Sequence, residues 1–327
     1  MSELRRDLVS GDWIIAAPDR AGRPHGFYAE KKKRNFPKKD CPFDDLEKSG
    51  EWPPILSYPK GKNWKVALIP NKYPALTHHQ ACTSTVAQGP YQVSSGIGHH
   101  DLVITRDHRK NFGDLNREEA LQVLLVLKKR YQILAADRCL LYTSSFFNWG
   151  PAAGATLPHP HYQVLTLPII PPDVAHSIGG SREYYAKHKR CVHCVMMDYE
   201  RRKKTRIVYE DRNSIAFAPF VSRQPFEMRI FPKRHISFFE HTPNPDMRSV
   251  AHTLQTVIRG MRRNLHDPDF NFFIHSAPLK NQQKYRHYHW HIEIFPKISI
   301  RAGFELSTGV EINVVDPDRA AAILRKK

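Results

Sequence analysis

The sequence predicts an α+β fold, mostly antiparallel sheet with packed helices, and three observations predict it. Two long stretches carry apolar residues at helical spacing, several short segments alternate with a period of two, and the parts recur in the same order in each half. In the first half, Cys41 precedes a β-rich segment, "DLVITRDH", that ends at His108; a helix, "SSFFNWG" and "HPHYQ" follow. In the second half, Cys191 and Cys194 precede "EMRIFPKRH", ending at His235, then a helix, "FNFFIHSAP" and "HWHIE". His108 and His159 lie 51 residues apart, and His235 and His289 lie 54 apart. Duplication of one supersecondary unit accounts for both order and interval, and divides the chain into residues 1–180 and 181–327.

The helices justify themselves by their caps and stripes. "NREEALQVLLVLKKRYQILAA" opens with Asn116 and Glu119 in a capping-box arrangement and sets Leu121, Leu124 and Leu125 on one face. Its counterpart starts with Asn244 as cap and Pro245 at the first helical position, then lines up Val250, Leu254, Val257, Ile258 and Met261. Both are core-packing helices in this reading.

The histidine-bearing segments are strands. In "HYHWHIEIF", His287, His289, His291 and Glu293 share one face while Tyr288, Trp290, Ile292 and Ile294 share the other, which can bury against a helix. The same period aligns His159, His161 and Gln163 in "LPHPHYQVLTLP". Pro160 has no amide hydrogen, so this stretch belongs at a sheet edge or at the mouth of a sheet.

Composition bounds the function. Of 327 residues, 41% are apolar and 25% charged, which is ordinary for a globular chain rather than a disordered one and provides for one large domain or two. No run reaches membrane-span length, and "MSELRRDLVSGDWIIAAPDR" has charges where a secretory signal needs an apolar segment, so the expected location is cytoplasmic, with no membrane partner. The net charge of +18 points to an anionic partner, either nucleic acid or phosphorylated small molecules. The densest runs, Lys31-Lys32-Lys33-Arg34 and Arg201-Arg202-Lys203-Lys204, read as solvated loops, which argues against nucleic acid. Five cysteines, Cys41, Cys82, Cys139, Cys191 and Cys194, read as thiols or metal ligands rather than a disulfide framework.

Cys191 and Cys194 have the spacing with which two thiolates grip one Zn²⁺, and His235 and His289 complete a tetrahedral set. In the first half, Cys41, His108 and His159 occupy the corresponding places, and Asp44 stands where Cys194 has its counterpart; a carboxylate oxygen also ligates zinc. The second site is the firmer expectation.

With His159 occupied by metal or by structural duty, His161 is free for chemistry. A neutral imidazole is a nucleophile, and phosphorus is a suitable target because the phosphate ester expelled from a nucleoside diphosphate compound leaves as a stable anion. Gln163, on the same face, can donate its amide hydrogen to a nonbridging oxygen. Glu293, at the matching place in the second half, would repel that phosphate, so catalysis is expected in the first half and a structural role in the second.

"HPHYQ" resembles the His-Pro-His-x-Gln active-site motif of the galactose-1-phosphate uridylyltransferase family, a branch of the histidine-triad superfamily built from two histidine-triad-like repeats. The resemblance runs through most of the chain, in "RRDLVSGDWIIAAPDRAGRP", "CPFDD", "IPNKYPAL", "FFNWGPAAGATLPHPHYQ", "HSAP", "HWHIEIFP" and "AGFELSTG". It implies ping-pong transfer of a nucleotide held covalently on His161, between a nucleotide sugar and a hexose 1-phosphate. By motif position, Arg20, Arg23, Asn71, Asn148, Thr156 and Gln163 would contact nucleotide or phosphates, and Glu305 the sugar. It also implies a homodimer in which the C-terminal segment reaches a neighbouring active site.

Two departures stand out: Asp44 replaces the expected cysteine, and Tyr162 replaces a residue that is often small. The "CVHC" pair and "AGFELSTGVEIN" look closer to the related branch that includes ADP-glucose phosphorylase, which passes the nucleotide to inorganic phosphate. Two readings thus stand beside the uridylyltransferase: a nucleotide-sugar phosphorylase, and a metal-stabilised nucleotide- or nucleic-acid-binding protein without turnover. The residues leave the preferred base and the acceptor open.

Overall fold

The computed structural model describes residues 1–22, 38, 41–78, 82 and 84–326. In the first half the elements are β1 (Glu3–Arg6), β2 (Trp13–Ala16), α1 (Leu46–Ser49), β3 (Leu56–Tyr58), β4 (Val66–Pro70), β5 (Thr85–Gln88), β6 (Tyr91–Ser94) and β7 (His99–Thr105). The helix α2 (Arg117–Leu134) and strands β8 (Tyr142–Trp149) and β9 (His161–Leu167) follow. Beyond them come α3 (Pro172–His188), α4 (Val192–Lys203), β10 (Ile207–Glu210), β11 (Ser214–Phe217), β12 (Met228–Pro232), α5 (Asn244–Asn264), β13 (Phe270–His275) and β14 (His291–Pro296). The chain closes with α6 (Gly303–Thr308), β15 (Glu311–Asn313) and α7 (Pro317–Leu324).

Ten strands form one antiparallel sheet in the order β10-β11-β12-β14-β13-β8-β9-β7-β4-β3. Its middle is the pair β13 and β8, where Phe273 faces Phe146, and the order outward from that pair is the same on both sides. Joining the two half-sheets covers an edge of each, which would otherwise expose unpaired amides and carbonyls. A second sheet pairs β1 with β2 and sets β15 parallel to β2, so the first and last segments of the chain meet.

Strand alternation sorts the two faces of the large sheet. Val66, Leu68, Val103, Phe147, Tyr162, Ile230 and Ile292 belong to the main core, to which α2 and α5 contribute. Val250, Leu254, Val257, Ile258 and Met261 are all buried there, each contributing about 1.5–3 kcal/mol by leaving water. Asn116 and Glu119 form the capping box, Leu121 and Leu124 are buried and Leu125 is half-buried. On the opposite face, Ala67, Ile69, Leu102 and Ile104 pack with Phe43 and Leu46, and Ile215, Phe217 and Phe231 pack with Met197. The polar residues of the site share that second face.

Several details differ from expectation. Pro243, not Asn244, is the cap of α5, and the Asn244 side chain instead accepts from Lys128 Nζ at 3.4 Å. β9 is an interior strand between β8 and β7, not an edge; Pro160 is tolerated because pairing begins one residue later, at His161. Arg201, Arg202 and Lys203 form the last turn of α4 rather than a loop, where positive charge faces the negative end of the helix dipole. The other basic run, residues 31–34, lies outside the described residues. Cys82 and Cys139 are joined by a disulfide, which corrects the reading of all five cysteines as thiols or ligands. The loop before β5 meets the turn after α2 there, a tertiary approach that spacing along the chain does not show. No helix among the described residues is long and apolar enough to cross a membrane.

A buried acid makes stability depend on pH. Glu240, before α5, is 2% exposed, and among the described residues neither of its carboxylate oxygens finds a hydrogen-bond partner. Burial pushes its pKa up to about 7 from the usual 4.5. As pH rises above 4.5 the unfolded chain releases this proton while the folded chain keeps it, so stability falls through that window until the folded group also ionises. Glu240→Gln removes the effect. Urea titrations are expected to show the variant gaining on the wild type by up to about 3 kcal/mol between pH 5 and pH 8; a pH-independent difference would exclude Glu240 as the source.

Candidate active site and metal centres

His159 and His161 are separated by function in the geometry. His159 lies in the turn before β9, wholly buried, and its Nε2 is 2.8 Å from the Thr105 carbonyl oxygen, to which it donates. Its Nδ1 therefore presents a lone pair, 3.0 Å from His108 Nδ1 and 3.4 Å from Cys41 Sγ. The Asp44 carboxylate closes the group at 3.0 Å from His108 Nδ1. Desolvation, with the neighbouring His108 adding to it, pushes the His159 pKa down to about 4, so the ring is neutral and able to ligate.

The second half repeats this arrangement. Cys194 Sγ is 3.4 Å from His235 Nδ1 and 3.5 Å from His289 Nδ1, while His235 Nε2 donates to the Arg286 carbonyl oxygen at 2.8 Å. Cys194 hydrogen-bonds to Cys191 and, with His235 and His289, pulls the Cys191 thiol far below its usual range. In each group of four the ligand atoms lie within 4.8 Å of one another, so Cys41, Asp44, His108 and His159, and Cys191, Cys194, His235 and His289, could each hold a metal ion.

His161 belongs to neither group. Its Nδ1 donates to the His159 carbonyl oxygen at 2.9 Å, which fixes the neutral tautomer and leaves the Nε2 lone pair free. Desolvation lowers its pKa, which keeps that lone pair available. The ring is 7% exposed, with Phe43 at 5.6 Å between centroids. Since Phe147 pairs with Tyr162, the register continued by one residue sets Asn148 across from His161. The Asn148 carbonyl is turned to Asn271, whose Nδ2 donates to it at 2.8 Å, so the Asn148 amide nitrogen is left for another acceptor.

Gln163, two residues on, has its Oε1 3.0 Å from Nε2 of His100, a residue that no sequence motif singles out. Asn71 joins them, its Nδ2 3.1 Å from the same His100 nitrogen. Gly98 makes this junction fit: a Cβ there would lie 2.1 Å from the Thr166 carbonyl oxygen, and its amide donates to Thr77 at 2.9 Å, drawing the loop of Asn71 against β7. Tyr162 points away into the main core, stacked on Phe147, so its size does not crowd the site.

The remaining expected residues are dispersed. Arg20 and Thr156 are exposed, and Arg23 lies outside the described residues. Glu305 caps α6, its Oε2 accepting from the Ala302 amide at 3.0 Å, on the segment that borders the second-half cleft. That cleft, about 320 Å³, is lined by Trp13, Arg223, Arg229, His275, His291 and Glu293. Against the burial that alone would raise it, Arg223 and Arg229 hold the Glu293 carboxylate well below its usual range. Its oxygens are 2.5 Å from Arg223 and 2.9 Å from Arg229, so the second-half counterpart of Gln163 is already engaged.

Known proteins resemble this chain in sequence and in fold. Residues 55–326 match the family described as a domain of unknown function, DUF4921. ADP-glucose phosphorylase of Arabidopsis thaliana is 32% identical over 329 residues, covering 99% of this chain and 92% of that protein. Galactose-1-phosphate uridylyltransferase of Thermotoga maritima is 26% identical, covering 100% of this chain and 98% of that one. The crystal structure of an ADP-glucose phosphorylase from Arabidopsis thaliana with bound ADP-glucose superposes with a TM-score of 0.85 at 29% identity, covering 100% of this chain and 99% of that chain. Fold and relatives together define an enzyme of the nucleotidyl-transfer class. The chain belongs to the DUF4921 family and, with these relatives, to the galactose-1-phosphate uridylyltransferase family with its ADP-glucose phosphorylase-like branch.

Proposed function

We propose that this enzyme moves a nucleoside monophosphate from a nucleotide sugar to a phosphate acceptor through a covalent intermediate on His161. The observation that carries the reading is the free Nε2 of His161, oriented by the His159 carbonyl and outside both metal groups. Nε2 attacks the α-phosphorus; a P–N bond forms as the bond to the bridging oxygen breaks, and the hexose 1-phosphate leaves. In the second step an acceptor phosphate oxygen attacks the same phosphorus, the P–N bond breaks and the imidazole is regenerated. Gln163, Asn148 and Asn71 supply amide donors for the nonbridging oxygens, a role that needs preorganised dipoles rather than a strong acid. Of the two acceptors, greater similarity to ADP-glucose phosphorylase favours inorganic phosphate over a hexose 1-phosphate.

The same proposal assigns Zn²⁺ to the two groups of four. Tetrahedral zinc with bonds of about 2.0–2.3 Å sets its ligands about 3.3–3.8 Å apart, and the observed separations of 3.4 and 3.5 Å in the second half agree. The first half, with Asp44 in place of a thiol, is tighter, at 3.0–3.6 Å. Bound there, the ion would hold His159 and so the carbonyl that orients His161; it takes no part in the transfer. Cys191→Ser is expected to halve the zinc content measured by elemental analysis, and unchanged content would remove the second centre. Residues 1–180 would then be the catalytic repeat and 181–327 the structural one, in a homodimer where Glu305 reaches the neighbouring site.

The test is incubation with ADP-glucose and with UDP-glucose separately, followed by intact-protein mass. An added nucleoside monophosphate on the wild type identifies both mechanism and base. Discharge of that adduct by inorganic phosphate, against discharge by galactose 1-phosphate, then separates phosphorylase from uridylyltransferase. A chain that acquires no nucleotide while binding polynucleotide with steep salt dependence would leave the non-catalytic reading.

A further inference from the structure

His100 enters none of the motifs, yet it holds the polar side of the site together. It is on β7 with its side chain on the face that carries His161 and Gln163, whereas its neighbours His99 and Asp101 turn to the helix side and take Arg130. The backbone amide of Ala75 donates to His100 Nδ1 at 3.1 Å. An amide nitrogen can only donate, so Nδ1 is the acceptor and the ring proton is on Nε2; Asn71 Nδ2, 3.1 Å from Nε2 and 3.4 Å from Nδ1, is nearly equidistant from the two ring nitrogens and so lies over the ring face rather than on either in-plane lone pair. That Nε2 lies 3.0 Å from Gln163 Oε1. A ring N–H facing an amide oxygen fixes which way the glutamine points: its oxygen is taken by His100 and its NH₂ is turned to the other side.

The second half shows what the pairing avoids. Leu102 pairs with Gln163 and Arg229 pairs with Glu293, so two residues before each stand His100 and Glu227 at equivalent places. In the second half both positions are acids, closed off by Arg223 and Arg229. In the first half a histidine and an uncharged amide bind each other instead.

We propose that His100 is a positioning residue for nucleotidyl transfer: as the Nε2–H tautomer it locks the Gln163 amide so that its NH₂ donates to the phosphate attacked by His161. This rests on the reading of His161 as nucleophile. Removing one oriented donor from a developing oxyanion costs about 10²–10³-fold in rate, and a donor that is present but free to flip retains part of that.

The test is a double-mutant cycle on the single-turnover rate of adduct formation from saturating ADP-glucose or UDP-glucose. His100→Phe, which keeps a ring but neither donates nor accepts, is expected to lower that rate about 10–100-fold with little change in substrate affinity. Gln163→Ala is expected to lower it at least as much, and the double variant to be no slower than Gln163→Ala alone. His100→Gln can accept from Ala75 and donate to Gln163, so it is expected to recover most of the rate. Additive losses in the double variant, or wild-type rate in His100→Phe, would overturn the proposal. Nitrogen-15 NMR of the histidine-labelled chain supplies a readout independent of turnover: a ring protonated on Nε2, assigned by its absence in His100→Phe, supports the pairing, and one protonated on Nδ1 overturns it. If the wild type forms no adduct while His100 has the expected tautomer, the reading of His161 has failed and the local pairing has not.

Discussion

Replacing His161 by asparagine is expected to reduce covalent nucleotide capture by about 10⁴-fold or more, leaving no adduct visible by intact mass. The asparagine amide can still donate toward the His159 carbonyl, as His161 Nδ1 does at 2.9 Å. It has no nucleophilic nitrogen in place of Nε2, because its lone pair is delocalised into the carbonyl. In the proposed mechanism the amides of Asn71, Asn148 and Gln163 would hold the substrate without the imidazole, so affinity is expected to change only several-fold. Isothermal titration with the nucleotide sugar measures that affinity, and mass spectrometry measures the adduct. A variant that still labels would place the nucleophile on another residue.

The second large effect concerns stability. Arg229 is 6% exposed and meets Glu293 at 2.9 Å, Glu227 at 3.1 Å and Asp7 at 3.8 Å. Glu227 is wholly buried and Glu293 nearly so. Arg229→Met keeps much of the volume but leaves two buried carboxylates with Arg223 as the nearby cation. Breaking a buried ionic group on one side costs about 3–5 kcal/mol; Glu293 keeps Arg223, but Glu227 loses the guanidinium it pairs with. Urea denaturation is expected to show a loss of that size, partly restored by adding Glu227→Gln, which removes the stranded charge. A loss under about 1 kcal/mol would mean that water already reaches the network. The same network keeps Glu293, the second-half counterpart of Gln163, engaged.

The members of the metal groups are legible in the order of residues along the chain. Cys191 and Cys194 are set by local spacing, and the repeat order links them to His235 and His289, just as it links Cys41 and Asp44 to His108 and His159. Helical stripes announce α2 and α5, because a one-sided helix can bury only that side. The alternation that aligns His161 with Gln163 leaves Tyr162 on the other face, and Tyr162 lies in the main core while Gln163 meets His100. Arg20, Thr156 and Glu305 are suggested by motif position alone; Arg20 and Thr156 are exposed and Glu305 lies in α6.

What the chain alone determined, then, is which residues repeat, which faces are apolar and which four side chains gather in each half, since all of these follow from short-range periodicity and from the order of parts. Tertiary structure alone decided that His100 meets Gln163, that Arg223 and Arg229 close over Glu293, and that Cys82 finds Cys139. Each is a contact between strands or loops distant in sequence. Such contacts depend on sheet register and loop closure, where a shift of one residue would turn every side chain to the opposite face.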